Sequence, residues 1–238
     1  MAYPPAASTA LRCTPSPHRA RILYCSNAWD SKDEPAPGRS QAGSHRSPQG
    51  GGIPVSRRLV YVVGPSGAGK DSVLAWLRHH LPPSPTVHWA RRTITRPARA
   101  GDEVHEAVDP PQFLALRERG AFALAWQANG LHYGVRASEL APIEHGGWVL
   151  VNGSRAHLDP TRSRFPGLTV VHVTASPDTL RQRLLGRGRE SAAEVEARIQ
   201  RTQTLQLPHA LQVQNNGALE DAGHQLLNHL QTLPGWPA

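Results

Sequence analysis

Nine consecutive residues, Gly64-Pro65-Ser66-Gly67-Ala68-Gly69-Lys70-Asp71-Ser72, carry the most legible chemistry in this chain. A glycine, four residues and then Gly-Lys is the spacing of a loop that wraps the phosphates of a nucleotide. Glycines let successive backbone N–H groups turn inward around an anion, and the first turn of a following helix adds its positive dipole end. Residues Gly64 to Gly69 would form that cradle for ATP, and Lys70 would reach the β- and γ-phosphates. The hydroxyl residue that usually follows the lysine and holds Mg²⁺ is replaced by Asp71, with Ser72 next. A carboxylate is a hard oxygen ligand and suits Mg²⁺. Either Asp71 or Ser72 can therefore serve the metal, and Asp71 equally suits a helix first turn as a plain cap.

Such a loop works only between a buried strand and a helix. Leu59-Val60-Tyr61-Val62-Val63 is an apolar run of strand length, and Val73 to Leu81 has helical spacing. Downstream, Thr86 to Ala90 reads as a short strand and is followed by a polar, arginine-rich stretch, residues 91–103. Pro110 to Arg119 is helical. Phe122 to Trp126 and Leu131 to Val135 are two strands joined through Asn129-Gly130, a hairpin signal. Trp148 to Val151 and Leu168 to Thr174 read as buried strands. Asp178 to Leu185 and Glu194 to Leu207 read as helices, Leu211 to Val213 as a last strand and Leu219 to Leu233 as a last helix. Strands alternating with helices predict an α/β domain with a parallel sheet flanked by helices. It is expected to span 57–238. Residues 1–56, rich in Pro, Ser, Ala, Gly and Arg without periodicity, are expected to be a disordered tail. A natural extension, a transit-like segment and an upstream start codon all fit it.

Among 238 residues, 26 Lys+Arg stand against 18 Asp+Glu, a formal charge of +8. That excess suits small polyphosphate substrates as well as nucleic acid, and no RNA- or DNA-binding motif accompanies it. The only lysines are Lys32 and Lys70. In a chain that otherwise uses arginine, a lysine at this place in a glycine loop is not a random surface charge. Cys13 and Cys25 both lie in the tail, which leaves the domain no disulfide framework and no cysteine zinc site. No apolar run approaches the ~18 residues of a membrane span.

Beyond the glycine loop, Thr95-Arg96-Pro97-Ala98-Arg99-Ala100-Gly101 and His132-Tyr133-Gly134 resemble the guanylate kinase branch of the nucleoside monophosphate kinases over essentially all of 57–235. The resemblance implies a P-loop NTPase fold with acceptor-binding and lid insertions. It also implies that Arg96, Arg99 and Tyr133 hold the acceptor's phosphate, which fits the bidentate match of guanidinium to phosphate oxygens. Three positions depart from that branch. Its base-reading glutamate falls at Leu124, which cannot accept guanine N–H bonds. A base-contacting serine falls at Arg92, and an aspartate at the end of a strand falls at Asn152. Phosphate recognition is kept, base recognition is lost and a cation is added, which suits an acceptor with a second phosphate in place of a base.

Gly-Lys-Asp-Ser at 69–72, residues 126–131, residues 149–155 and Arg187-Gly188-Arg189-Glu190 together resemble a narrower group, the ribose 1,5-bisphosphate phosphokinases of phosphonate catabolism. That resemblance implies phosphorylation of ribose 1,5-bisphosphate by ATP and Mg²⁺ to 5-phosphoribosyl 1-diphosphate (PRPP) in the cytoplasm. The partner is then a small phosphorylated sugar, with no nucleic acid and no membrane; a homodimer stays open. Lys70, Arg187 and Arg189 are implied as catalytic. Arg183 would join the nucleotide site. Arg92, Asn152, Ser154, Arg155 and Arg198 would join the acceptor site, although Asn152 to Arg155 also suit an ordinary turn. Competing readings are a guanylate or other nucleoside monophosphate kinase, opposed by Leu124 and Arg92, and a non-catalytic guanylate-kinase-like module, opposed by the intact Gly69-Lys70.

Overall fold

A computed structural model describes residues 55–98, 103–188, 191–203 and 207–237. The expected tail up to residue 54, Arg99 and Arg189 lie outside them. In chain order the elements are β1 (Leu59–Val63), α1 (Lys70–His80), β2 (Val87–Trp89), β3 (Arg92–Ile94), β4 (Glu106–Ala107), α2 (Pro110–Glu118), β5 (Phe122–Ala128), β6 (Leu131–Arg136) and α3 (Ala137–Leu140). They continue with β7 (Trp148–Asn152), α4 (Leu158–Arg164), β8 (Thr169–Thr174), α5 (Pro177–Leu185), α6 (Ala192–Gln203), β9 (Leu211–Gln214) and α7 (Leu219–Gln231).

The main sheet has the order β2-β7-β1-β8-β9, and all its pairings are parallel. β1 lies at its centre with all five residues buried, as a strand covered on both faces requires. Val60 and Val62 face one layer, where α1, α5, α6 and α7 bring Trp76, Leu77, Leu180, Ile199, Leu226 and Leu230. Leu59, Tyr61 and Val63 face the other, with Val149, Val151 and Leu158. From β1 the chain is flanked by β7 on one side and β8 on the other. The crevice beyond the C-terminal strand ends is thus where a ligand fits such a sheet.

A second sheet, β4-β3-β6-β5, is mostly antiparallel. Its β5–β6 hairpin turns through Asn129 (φ 50°) and Gly130 (φ 72°), the left-handed pair that a two-residue turn demands. β3 and β4 fall within or just beyond the stretch read from sequence only as polar and arginine-rich. They have three and two residues, too short to show alternation, and are strands because β6 supplies the partner of β3 and β3 that of β4. The helix expected over 194–207 ends at Gln203, and Leu207 is a buried residue outside it. Ser191 caps α6 reciprocally with Glu194: the Ser191 N–H donates to Oε2 at 2.8 Å and the Glu194 N–H to Oγ at 3.4 Å. Arg181 bridges Asp178 and Glu196 and so ties α5 to α6.

Candidate active site

The glycine loop leaves β1 and enters α1 at Lys70. Gly69 is left-handed (φ 81°), and a Cβ on it would collide with the amide of Asn215, so the loop needs glycine there twice over. That amide donates to the Ala68 carbonyl at 2.8 Å. Lys70 folds back, its Nζ donating to the carbonyls of Gly64 at 3.1 Å and Pro65 at 3.5 Å. Burial pushes its ammonium down to about 8. Asp71 partly offsets this, while the cations of Arg92 and Arg155 add to it. A buried cation short of anionic partners is what an arriving polyphosphate would complete.

Asn152 ends β7 beside the loop and is 4% exposed. Its Nδ2 donates to Asp71 Oδ1 and to Glu103 Oε2, each at 2.6 Å. Glu103 in turn receives the Arg92 fork, at 3.1 Å from Nε and again from Nη2. Arg92 lies over the Tyr133 ring at 5.5 Å, and Tyr133 stacks on Trp126 with centroids 5.6 Å apart and planes 3° from parallel. Arg96 sits in the turn after β3. That turn is fastened by Thr95, whose N–H donates to the His132 carbonyl and whose Oγ1 accepts from the His132 N–H. Buried His105 reaches the carbonyls of Glu103 (2.9 Å) and Arg96 (3.1 Å) and so ties these two residues together.

On the β7 side, Tyr61 fixes the Asn152–Arg155 turn. Its hydroxyl accepts from the Ser154 N–H at 3.0 Å, and a Cβ at Gly153 would overlap its ring. Arg155 follows, its guanidinium pulled below the usual arginine range by burial. On the helix side, Arg187 follows α5, and Arg198 and Arg201 stand on α6. Arg183 places its buried Nη1 beside Gly69, without a hydrogen-bond partner among the described residues.

Many of these groups line one cavity of about 820 Å³. Lys70 and Asp71 lie at its loop side, Arg92 and Tyr133 on the second sheet with Arg96 in the turn after β3, Asn152, Ser154 and Arg155 on β7 and its turn, Arg187 after α5, and Arg198 and Arg201 on α6. Of the residues singled out from sequence, Ser72 is exposed on α1 and, like Arg183 and the loop residues Pro65, Gly67, Ala68 and Gly69, is not among the lining residues. Glu103, His105, Trp126, Arg201 and Asn215 were not singled out for the site. Glu103 and Arg201 carried a possible signal as charges inside stretches already marked. Asn215 follows a short strand with no motif around it. Leu124 is 3% exposed in the apolar cluster with Ala123, Trp126 and Val135 and is not among the residues that line the cavity, although Trp126 is. Such a cavity can hold two phosphate-bearing molecules against each other and neutralise the charge between them.

Residues 60–203 match the family model described as AAA domain. The chain is 42% identical over 181 residues to "Ribose 1,5-bisphosphate phosphokinase PhnN" of Burkholderia mallei (strain SAVP1), covering 75% of this chain and 97% of that protein. It is 41% identical over 179 residues to the protein of the same name from Agrobacterium fabrum (strain C58 / ATCC 33970), covering 74% and 98%. Among solved structures, guanylate kinase from Anaplasma phagocytophilum aligns with a TM-score of 0.53 at 18% identity, over 73% of this chain and 84% of that one, a likeness of fold.

Proposed function

The chain belongs to the ribose 1,5-bisphosphate phosphokinase family, and on that premise we propose that it transfers the γ-phosphoryl group of ATP to ribose 1,5-bisphosphate. An oxygen of the acceptor's 1-phosphate attacks the γ-phosphorus, and the bond from that phosphorus to the β–γ bridging oxygen breaks. The products are ADP and 5-phosphoribosyl 1-diphosphate. The nucleophile is already an anionic oxygen, so no strong general base is needed and catalysis rests on positioning and charge neutralisation.

The observation that supports this reading best is the cavity's composition. Cations approach it from the glycine loop, the second sheet, the β7 turn and the α5–α6 side, while Leu124, which stands in the sequence where a base-reading carboxylate is expected, is buried and is not among its lining residues. In this reading the loop and Lys70 hold the ATP phosphates, with Arg183 beside Gly69. Arg96, Arg99, Tyr133 and Arg155 hold the acceptor phosphates. Arg187, Arg189 and Arg198 close on the transferring group. Arg92 reaches the acceptor with its charge tempered by Glu103. Asp71 fits Mg²⁺: it is a hard carboxylate at the loop's exit, oriented by Asn152. When bound, Mg²⁺ would neutralise phosphate charge. In the same reading 57–238 is the catalytic domain, acting in the cytoplasm in phosphonate catabolism; among the described residues no helix is long and apolar enough to cross a membrane.

The test is a phosphoryl-transfer assay with ATP and Mg²⁺, offering ribose 1,5-bisphosphate and GMP in parallel. Product from the sugar bisphosphate, abolished in Lys70→Ala, is expected. Product from GMP alone would replace this reading with a nucleotide kinase.

A further inference from the structure

The way round in which the Asn152 amide lies is fixed by its neighbours. Both partners of its Nδ2, Asp71 Oδ1 and Glu103 Oε2, are carboxylate oxygens at 2.6 Å, and ionised carboxylates only accept. A flipped amide would bring its carbonyl oxygen against two anions. Oδ1 is therefore held on the other side. It is buried and has no hydrogen-bond partner among the described residues, in a side chain that lines the cavity and is 4% exposed. A buried acceptor of this kind calls for a donor. Phosphate oxygens, which the surrounding arginines suit, cannot supply one, because they accept as well.

We infer that Asn152 reads a hydroxyl of the acceptor's sugar, with Asp71 and Glu103 as the positioning residues that fix which way round its amide lies. The inference rests on the proposed acceptor being a pentose bisphosphate, and it divides the cavity's labour. Arginines take the two phosphates, and one neutral acceptor takes the sugar between them. An amide does this where a carboxylate would repel the flanking phosphates. Glu103 can lie beside an anion site because the Arg92 fork offsets its charge.

The experiment compares kcat/KM for ribose 1,5-bisphosphate with that for its 2-deoxy and 3-deoxy analogues, in wild type, Asn152→Ala and Glu103→Gln. Wild type is expected to reject at least one analogue by ~100-fold or more, because a site built to bond a hydroxyl leaves its own group unpaired without one. In Asn152→Ala that ratio falls toward 1. In Glu103→Gln, which removes one of the two obligate acceptors, it falls part of the way. Equal losses on all three substrates, with the ratios unchanged, would make Asn152 a structural residue and overturn the inference alone. A shift only in the Mg²⁺ concentration dependence would overturn it too, in favour of a metal contact. Wild type that turns over GMP and none of the three sugars overturns the functional reading, and the inference falls with it. Glu103→Gln keeps the size of the side chain, so it carries the test if Asn152→Ala does not fold.

Discussion

The side-chain amide of Asn215 donates to the main-chain carbonyl of Ala68 at 2.8 Å, a buried bond across 147 residues that lashes the end of β9 to the phosphate loop. Replacing Asn215 by Ala strands a buried carbonyl and leaves a gap beside Gly69. A loss of ~1–3 kcal/mol is expected, seen as a drop of several degrees in Tm. Because the bond shapes the nucleotide cradle, KM for ATP should rise more than KM for the acceptor. An unchanged Tm and ATP KM would mean that the loop holds its form alone.

Lys70 makes nucleotide binding sensitive to alkaline pH. Its ammonium is pushed down to about 8 by burial, against an ordinary value near 10.5. In the unfolded chain the group keeps its proton up to the higher value. The unfolded state therefore binds more protons between about 8 and 10.5, and stability due to this group rises with pH across that window. Ligand binding runs the other way. A polyphosphate favours the charged form, so above pH 8 binding takes up a proton and affinity falls by up to ~10-fold per pH unit. Calorimetry at pH 9 in two buffers of different ionisation enthalpy would read the uptake, and Lys70→Met should abolish it. Equal heats in both buffers for wild type would refute the assignment.

Much of the nucleotide side could be read from residue types because backbone chemistry dictates it. Gly69 must be left-handed, Lys70 must follow it, and the run Leu59–Val63 can only be a buried strand. The hairpin through Asn129-Gly130 was legible for the same reason. The other half of the second sheet was not. Arg92-Thr93-Ile94 has no strand pattern of its own, and only its partner Tyr133-Gly134-Val135 makes it one. Glu103 and Asn215 were hidden because each acts through a contact far along the chain that spacing does not encode, and His105 because it reaches main-chain carbonyls, which no motif marks. A carboxylate amid arginines looks like a solvated charge until its bonds to Arg92 and Asn152 are seen.

Tyr61 links the core to the acceptor side. It lies fully buried in β1, burial raises its phenol above the usual tyrosine range, and its oxygen accepts from the Ser154 N–H. Tyr61→Phe should cost ~1–3 kcal/mol and loosen the turn that carries Arg155. KM for the acceptor should rise while KM for ATP holds. Gly153→Ala, which drives a methyl into the same ring, should be the more damaging of the two in Tm. The reverse order of damage would show that the turn is not set by this contact.

Leu124 gives the sharpest separation between a sugar kinase and a nucleotide kinase. If the acceptor site were a guanine site with one residue changed, Leu124→Glu would restore it and GMP would be phosphorylated. Leu124 is instead 3% exposed among Ala123, Trp126 and Val135 in the apolar layer against the main sheet. A carboxyl buried among these apolar side chains should destabilise the fold by ~3 kcal/mol or more. No GMP activity is expected, and turnover of the sugar bisphosphate should fall with the folded fraction. Both are measured by assaying the variant beside its thermal melt. A variant that melts like wild type and phosphorylates GMP would show that this face of β5 still opens onto the acceptor. Base recognition would then have been lost at one residue, in a site otherwise built for a nucleotide.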